Sequence, residues 1–133
     1  MRTILLLALV LGLVGCGAED EERPAAPRAE ALADLRISVD KDGDRGPRPA
    51  RETTVRCVTP AETPACDAAL SLTPEHFAPS PDNVACTLQY GGPDTARVTG
   101  TLRGESIDAR FSRTDGCEIN RWQGVQKLLE QSG

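Results

Sequence analysis

The chain has 133 residues, five cysteines, one histidine, only 3% aromatic residues, and a formal net charge of −5 from 15 Lys and Arg against 20 Asp and Glu. That length supports one modest core. The acidic balance, with no basic patch, argues against a nucleic acid partner and against charge-driven binding to an anionic lipid surface.

Arg2 precedes an apolar run from Ile4 to Leu13, followed by Val14-Gly15-Cys16. A basic start, about ten apolar residues and small residues before a cleavage point make a secretory signal, too short for a membrane span. Leu13-Val14-Gly15-Cys16 resembles the bacterial lipobox, whose cysteine becomes the lipid-modified first residue. The expectation is a signal peptide over 1–15 and an exported protein. It would be lipid-anchored through Cys16 on the outer face of a bacterial cell membrane or envelope. An ordinary secretory signal cleaved elsewhere is the alternative. Loss of residues 1–15 removes Arg2 alone and makes the charge more negative by one. Residues 16–34 continue as an anchored, acidic, Ala- and Pro-rich tether. It has too little apolar bulk to fold alone and an average reach of roughly 20–25 Å. Partial helix around Glu30 to Asp34 fits this composition.

The domain is expected over 35–133. Its four cysteines, Cys57, Cys66, Cys86 and Cys117, form an even set in an exported chain and read as two disulfides. Of three pairings, Cys57–Cys66 with Cys86–Cys117 is favoured: the first closes a Pro-rich turn, the second a long loop holding a hairpin. Leu35 to Val39 alternates as a half-buried strand, Asp40 to Pro49 is a loop, and Glu52 to Thr59 a second strand. Thr63-Pro64 caps a short helix through Leu72, and Thr73-Pro74-Glu75 restarts a turn. Ala96, Val98 and Leu102, then Ile107, Ala109 and Phe111 after the Arg103-Gly104-Glu105 turn, predict a hairpin with one apolar face. Asp115 and Glu118 resemble a capping box. The helix it opens carries Ile119, Trp122, Val125 and Leu129 on one stripe, read as core packing. The coarse class is α+β.

Parts for catalysis or metal binding are missing. Asp40, Asp42 and Asp44 resemble a calcium loop, but its sixth and twelfth positions hold Arg45 and Arg51, where glycine and glutamate belong. Paired Cys-x-x-Cys spacing is absent, and only His76 could assist a zinc site. No Gly-x-Ser-x-Gly elbow accompanies that histidine, and oxidised thiols are not nucleophiles. No catalytic residue, metal or cofactor is expected.

One segment stands apart. Ala85-Cys86-Thr87-Leu88-Gln89-Tyr90 lies between Pro79 and Pro81 on one side and Gly91, Gly92 and Pro93 on the other. With Cys86 bridged, Leu88 would sit on an extended, exposed and fastened backbone, as a protease-binding loop requires. Gly91-Gly92 would add freedom beside it, glycine being permissive at both signs of φ.

Arg56-Cys57, Ala65-Cys66-Asp67-Ala68-Ala69-Leu70, Ala85 to Tyr90, Ala96 to Leu102 and Gly116-Cys117-Glu118, in this order, resemble the Streptomyces subtilisin inhibitor family across most of residues 35–122. The resemblance implies a five-stranded antiparallel sheet with two short helices, neighbouring cysteines paired, and it allows a homodimer. It also implies a reactive bond between the second and third residues after the third cysteine, here Leu88–Gln89. Leu88 would enter the primary pocket of a subtilisin-like or chymotrypsin-like serine protease. The competing expectation is a non-inhibitory envelope lipoprotein, a binding or structural module on the same scaffold. Burial of Leu88 would favour it.

Overall fold

The computed structural model of the protein describes residues 30–44, 46–60 and 62–132. The expected signal peptide, Cys16 and the tether up to residue 29 lie outside the described residues. The elements in order are β1 (Ala33–Asp40), β2 (Arg51–Cys57), α1 (Pro64–Leu70), a 3-10 turn (Pro74–Phe77), β3 (Thr95–Leu102), β4 (Glu105–Phe111) and α2 (Gly116–Gln131). The class is α+β.

The sheet has four strands in the order β2-β1-β3-β4, every pairing antiparallel. The five strands implied by the resemblance are therefore corrected to four among the described residues. The stretch between the 3-10 turn and β3 would have to supply another strand. Pro79, Pro81 and Pro93 remove backbone donors there, and Ala85 to Tyr90 joins no ladder.

Period-two alternation decides which face each strand buries. Ala33, Leu35, Ile37 and Val39 of β1 point to the core, as do Val55 and Cys57 of β2, Ala96, Val98 and Leu102 of β3, and Ile107, Ala109 and Phe111 of β4. The helices cover that face with Ala68 and Ala69 of α1 and Trp122, Val125, Leu128 and Leu129 of α2. The opposite face carries Arg36, Arg97, Asp108 and Arg110, all exposed. β1 begins two residues before Leu35, so Ala33 and Asp34 are strand where the sequence suggested tether and partial helix. β2 stops at Cys57, short of Thr59, because the N–H groups of Val58 and Thr59 turn to the Glu62 carboxylate.

Local chemistry sets the helix ends. The Thr63 hydroxyl accepts from Cys66 N–H at 3.1 Å, and Pro64 opens α1. The helix ends at Leu70, not Leu72. The Leu70 carbonyl takes the Arg103 guanidinium at 2.6 Å, while Leu72 still reaches the core. Asp115 caps α2 by accepting from Glu118 N–H at 3.0 Å. Glu118 turns its own carboxylate to Arg121 at 2.8 Å, so the capping box is half made.

Two disulfides join Cys57 to Cys66 and Cys86 to Cys117. Cys57 and Cys66 are sealed in the core, whereas Cys86 is exposed. Between β3 and β4, Arg103 (φ 52°) and Gly104 (φ 82°) are both left-handed, as a two-residue primed turn demands.

Gly100 marks a close approach of β3 to β1. Its φ is +132°, and a Cβ there would lie 2.0 Å from the Asp34 carbonyl oxygen on β1. Gly100→Ala should therefore force β3 away from β1 and lower stability by about 2–3 kcal/mol. Urea unfolding would register this as a lower midpoint with an unchanged slope.

The register gives the sheet two distinct ends. At one, Ala33 faces Cys57 and Leu102. Leu32 is tied down there as well, its N–H to Cys57 O and its carbonyl to Arg103 N–H, both at 2.7 Å. At the other end Asp40 faces Thr95 and Ala96 faces Phe111.

Candidate functional site

Residues 81–90 are exposed without interruption and carry no helix or strand. Leu88 is 101% accessible and Tyr90 66%, and Val84 is also exposed. Among the described residues these are three of the four exposed large apolar side chains, the other being Val58. Such clustering is informative because a folded chain normally covers its bulky apolar groups when it can. The accessibility of Leu88 removes the burial that would have spoken against a binding loop.

The backbone beneath is fastened at both sides of the Leu88–Gln89 bond. Upstream, Cys86 is bridged to Cys117 with a Cα–Cα distance of 5.3 Å, and the Thr87 carbonyl accepts from Gly116 N–H at 3.0 Å. Downstream, Gly91 N–H donates to the Arg113 carbonyl at 2.7 Å. Leu88, Gln89 and Tyr90 lie exposed between these attachments. Thr87, Cys86 and Ala85 complete the segment singled out in the sequence, so all six residues lie on one continuous exposed run.

Gly91 is held. A Cβ on it would meet Ile119 Cδ1 and Cγ1 at 3.0 Å, so the glycine lets the loop press directly on α2. Gly116 does the same upstream, where a Cβ would lie 2.1 Å from Thr87 Oγ1. The freedom expected of Gly91-Gly92 is therefore spent at the first glycine on close approach; Gly92 takes up a positive φ of 133°.

Sequence reasoning passed over the platform under the loop. Arg113 offers its carbonyl to Gly91 and its guanidinium to Asp94 at 3.0 Å, and it lies over the Trp122 ring at 6.0 Å. Lys41 also reaches Asp94, at 3.6 Å. Nothing in the local sequence pairs residues 94 and 113. For Ile119 there was a signal: it heads the α2 stripe but is half-buried, because its outer side faces Gly91.

The groups considered for other chemistry are engaged in structure. Asp42 N–H donates to Asp40 at 2.9 Å, and Asp44 accepts from the Thr95 hydroxyl at 3.3 Å. Arg48 donates to Asp42 at 2.6 Å and by that hydrogen bond holds its carboxyl below the ordinary value. His76 Nδ1 accepts from Thr73 N–H at 3.1 Å and so caps the 3-10 turn. Among the described residues, Cys86, Asp115 and Cys117 lie close enough to share a metal ion. The two sulfurs are bonded to each other and Asp115 caps α2. A recess of about 640 Å³ on the polar sheet face is of mixed charge, with Arg36, Arg97 and Arg110 beside Asp40, Asp44, Glu52 and Glu118. Among the described residues, no helix is long and apolar enough to cross a membrane. No protein-family model and no curated protein matches this chain.

Proposed function

We propose that this protein inhibits subtilisin-like or chymotrypsin-like serine proteases by offering Leu88–Gln89 as a bond that is attacked but not released. The observation that carries the reading is a fully exposed leucine on a backbone fastened separately on each side. The chain's resemblance to the Streptomyces subtilisin inhibitor family points to the same bond.

The chemistry belongs to the protease. Ala85 to Tyr90 would lie along its cleft as an added strand, main-chain hydrogen bonds giving affinity and side chains giving selectivity. Leu88 would leave water for the primary pocket, a transfer worth about 1.5–3 kcal/mol. Attack by the protease serine on the Leu88 carbonyl would break the bond to the Gln89 nitrogen and leave an acyl-enzyme. The acyl side stays held by the Cys86–Cys117 bridge and the Thr87–Gly116 hydrogen bond, the amine side by Gly91–Arg113. With neither half free to diffuse, the Gln89 amine remains beside the ester and re-forms the peptide bond. A loop fixed before docking also loses little ordering entropy. On this reading the protein is exported, carried on a lipid anchor at Cys16, and not itself an enzyme.

Progress curves of subtilisin and chymotrypsin with the oxidised protein provide the test. Stoichiometric, lasting inhibition is expected, with slow cleavage confined to Leu88–Gln89 by mass spectrometry. Enzyme that stays active, or is regained as the protein is cut, would overturn the proposal. Gly116→Ala should weaken inhibition about tenfold, since Thr87 must move off α2; this corresponds to about 1.4 kcal/mol. The recess on the sheet face, where Arg36, Arg97 and Arg110 stand among Asp40, Asp44, Glu52 and Glu118, favours a second reading, a non-inhibitory envelope module that binds a partner through that face. It would stand if the loop proved inert.

A further inference from the structure

The two sides of Leu88–Gln89 are fastened unequally. The acyl side carries the covalent Cys86–Cys117 bridge and the Thr87–Gly116 hydrogen bond, both to the first turn of α2. Among the described residues, the amine side has one backbone hydrogen bond before β3 begins at Thr95, from Gly91 N–H to the Arg113 carbonyl. That carbonyl belongs to the short connection 112–114, between the end of β4 at Phe111 and the Asp115 cap of α2. The Arg113 side chain holds the connection in place. Its guanidinium lies over the Trp122 ring at 6.0 Å and donates to Asp94 Oδ2 at 3.0 Å. Asp94 Oδ1 takes Lys41 at 3.6 Å, so each carboxylate oxygen faces a different cation. The Asp94 side chain is only 15% exposed, and a Cβ on Gly92 would lie 2.9 Å from its Oδ2. The carboxylate thus lies against the downstream leg of the loop while it holds the arginine.

We infer that Asp94, a residue outside the exposed run, is the positioning residue that decides whether the cut loop is resealed or consumed. This rests on the inhibitory reading of Leu88–Gln89. When the protease serine attacks, its oxygen bonds to the Leu88 carbonyl carbon and the bond to the Gln89 nitrogen breaks. That nitrogen leaves as a free amine with the proton the serine gave up. Two nucleophiles then compete for the ester. The Gln89 amine restores the peptide bond and returns the proton to the serine, whereas water yields a Leu88 carboxylate and frees the enzyme. The winner depends on the effective concentration of the amine at the ester, which falls as the arm carrying it lengthens. With Gly91 tied to Arg113, the arm is Gln89 and Tyr90. With that tie loosened, it runs from Gln89 to Asp94, where β3 takes over. The bridge allows no such lengthening on the acyl side, so the amine side is the weak side of the clamp. The Asp94–Arg113 pair is what steadies it, through a charge-assisted hydrogen bond about twice as strong as a neutral one.

The test compares Asp94→Ala with the native oxidised protein at equilibrium with a trace of subtilisin. The ratio of cleaved to intact Leu88–Gln89, read by mass spectrometry, should rise about tenfold in the variant, and protease activity should return correspondingly sooner. The association rate should stay within about threefold, because Leu88 keeps its exposure. Arg113→Gln retains the carbonyl that Gly91 uses but removes the cation, and should raise the ratio as much. Asp94→Asn keeps an oxygen that accepts from Arg113 and should recover most of the loss. Lys41→Ala breaks a longer, more exposed ion pair and should change the ratio less than about threefold. Gly100→Ala separates positioning from stability: it weakens the sheet away from the loop and should leave the ratio at the native value. An unchanged ratio in both Asp94→Ala and Arg113→Gln, or an equal rise in Gly100→Ala, would overturn the inference while leaving the inhibitory reading intact. If the native protein does not inhibit subtilisin at all, that reading is wrong and the inference goes with it.

Discussion

Leu88→Lys is expected to weaken inhibition of chymotrypsin-like and subtilisin-like proteases by about 10³–10⁴-fold, equivalent to about 4–6 kcal/mol at 1.4 kcal/mol per factor of ten. Two losses combine. Removing the leucine forfeits about 1.5–3 kcal/mol of apolar transfer. Placing an ammonium group in an apolar pocket adds several kcal/mol of uncompensated charge, reduced where the lysine stem can bend its head toward water. A trypsin-like protease, with a carboxylate in its pocket, should be inhibited at least about tenfold better by the variant than by the native protein. The folded domain should not notice the change, because Leu88 is wholly exposed. Unfolding free energy should stay within about 0.5 kcal/mol. Inhibition constants for the three proteases, measured beside urea unfolding, check all of this. Unchanged inhibition by the lysine variant would move the reactive bond elsewhere or remove it.

Cutting the covalent tie at the loop should be nearly as damaging, and in a different way. In Cys86→Ser/Cys117→Ser the acyl half of a cleaved loop keeps only the Thr87–Gly116 hydrogen bond. The variant should bind about 10²–10³-fold more weakly, since the loop must now be ordered on docking. It should also be consumed as a substrate, with full protease activity returning. Stability should fall by about 3–4 kcal/mol, because the bridge spans 31 residues. Mild reduction of the native protein gives the same result without mutation. Cys57 and Cys66 are buried while Cys86 is exposed, so a small dithiol opens the loop bridge first. Thiol labelling with mass analysis identifies the opened pair, and progress curves read the loss of inhibition. Lasting inhibition after selective opening would mean that the hydrogen bonds alone secure the loop.

The features legible in the sequence are those decided by neighbours along the chain. Leu35, Ile37 and Val39 alternate, as do Ile107, Ala109 and Phe111, and each set faces the core. Thr63 and Asp115 cap the helices as their types suggest. The exposed run around Leu88 was visible because flanking prolines and glycines deny it regular structure. What was hidden depends on distant partners. Leu128 is fully buried although it lies beside the α2 stripe of Ile119, Trp122, Val125 and Leu129. Ile119 is only half-buried and packs against Gly91 of the loop. The early end of β2 depends on the Glu62 carboxylate, and the seat of the loop depends on Asp94, Arg113 and Trp122 meeting in space. The missing fifth strand came from analogy with other chains; four strands were all that this chain's own alternation supported.

The placement of β1 bears on how the molecule comes into being. It is the first strand among the described residues but an inner one in the sheet, and its second ladder joins Ala33 to Leu102 and Asp40 to Thr95. A chain delivered from its N-terminus can form the β1–β2 hairpin early, yet the far edge of β1 stays bare until residues 95–102 arrive. Such a hairpin alone is marginal in water, and the long-range pairing is slow because a long loop must close first. The domain therefore cannot lock while its C-terminal third is still in transit. Were the chain exported unfolded, as the proposed function has it, that delay would keep it threadable until residues 95–102 had crossed.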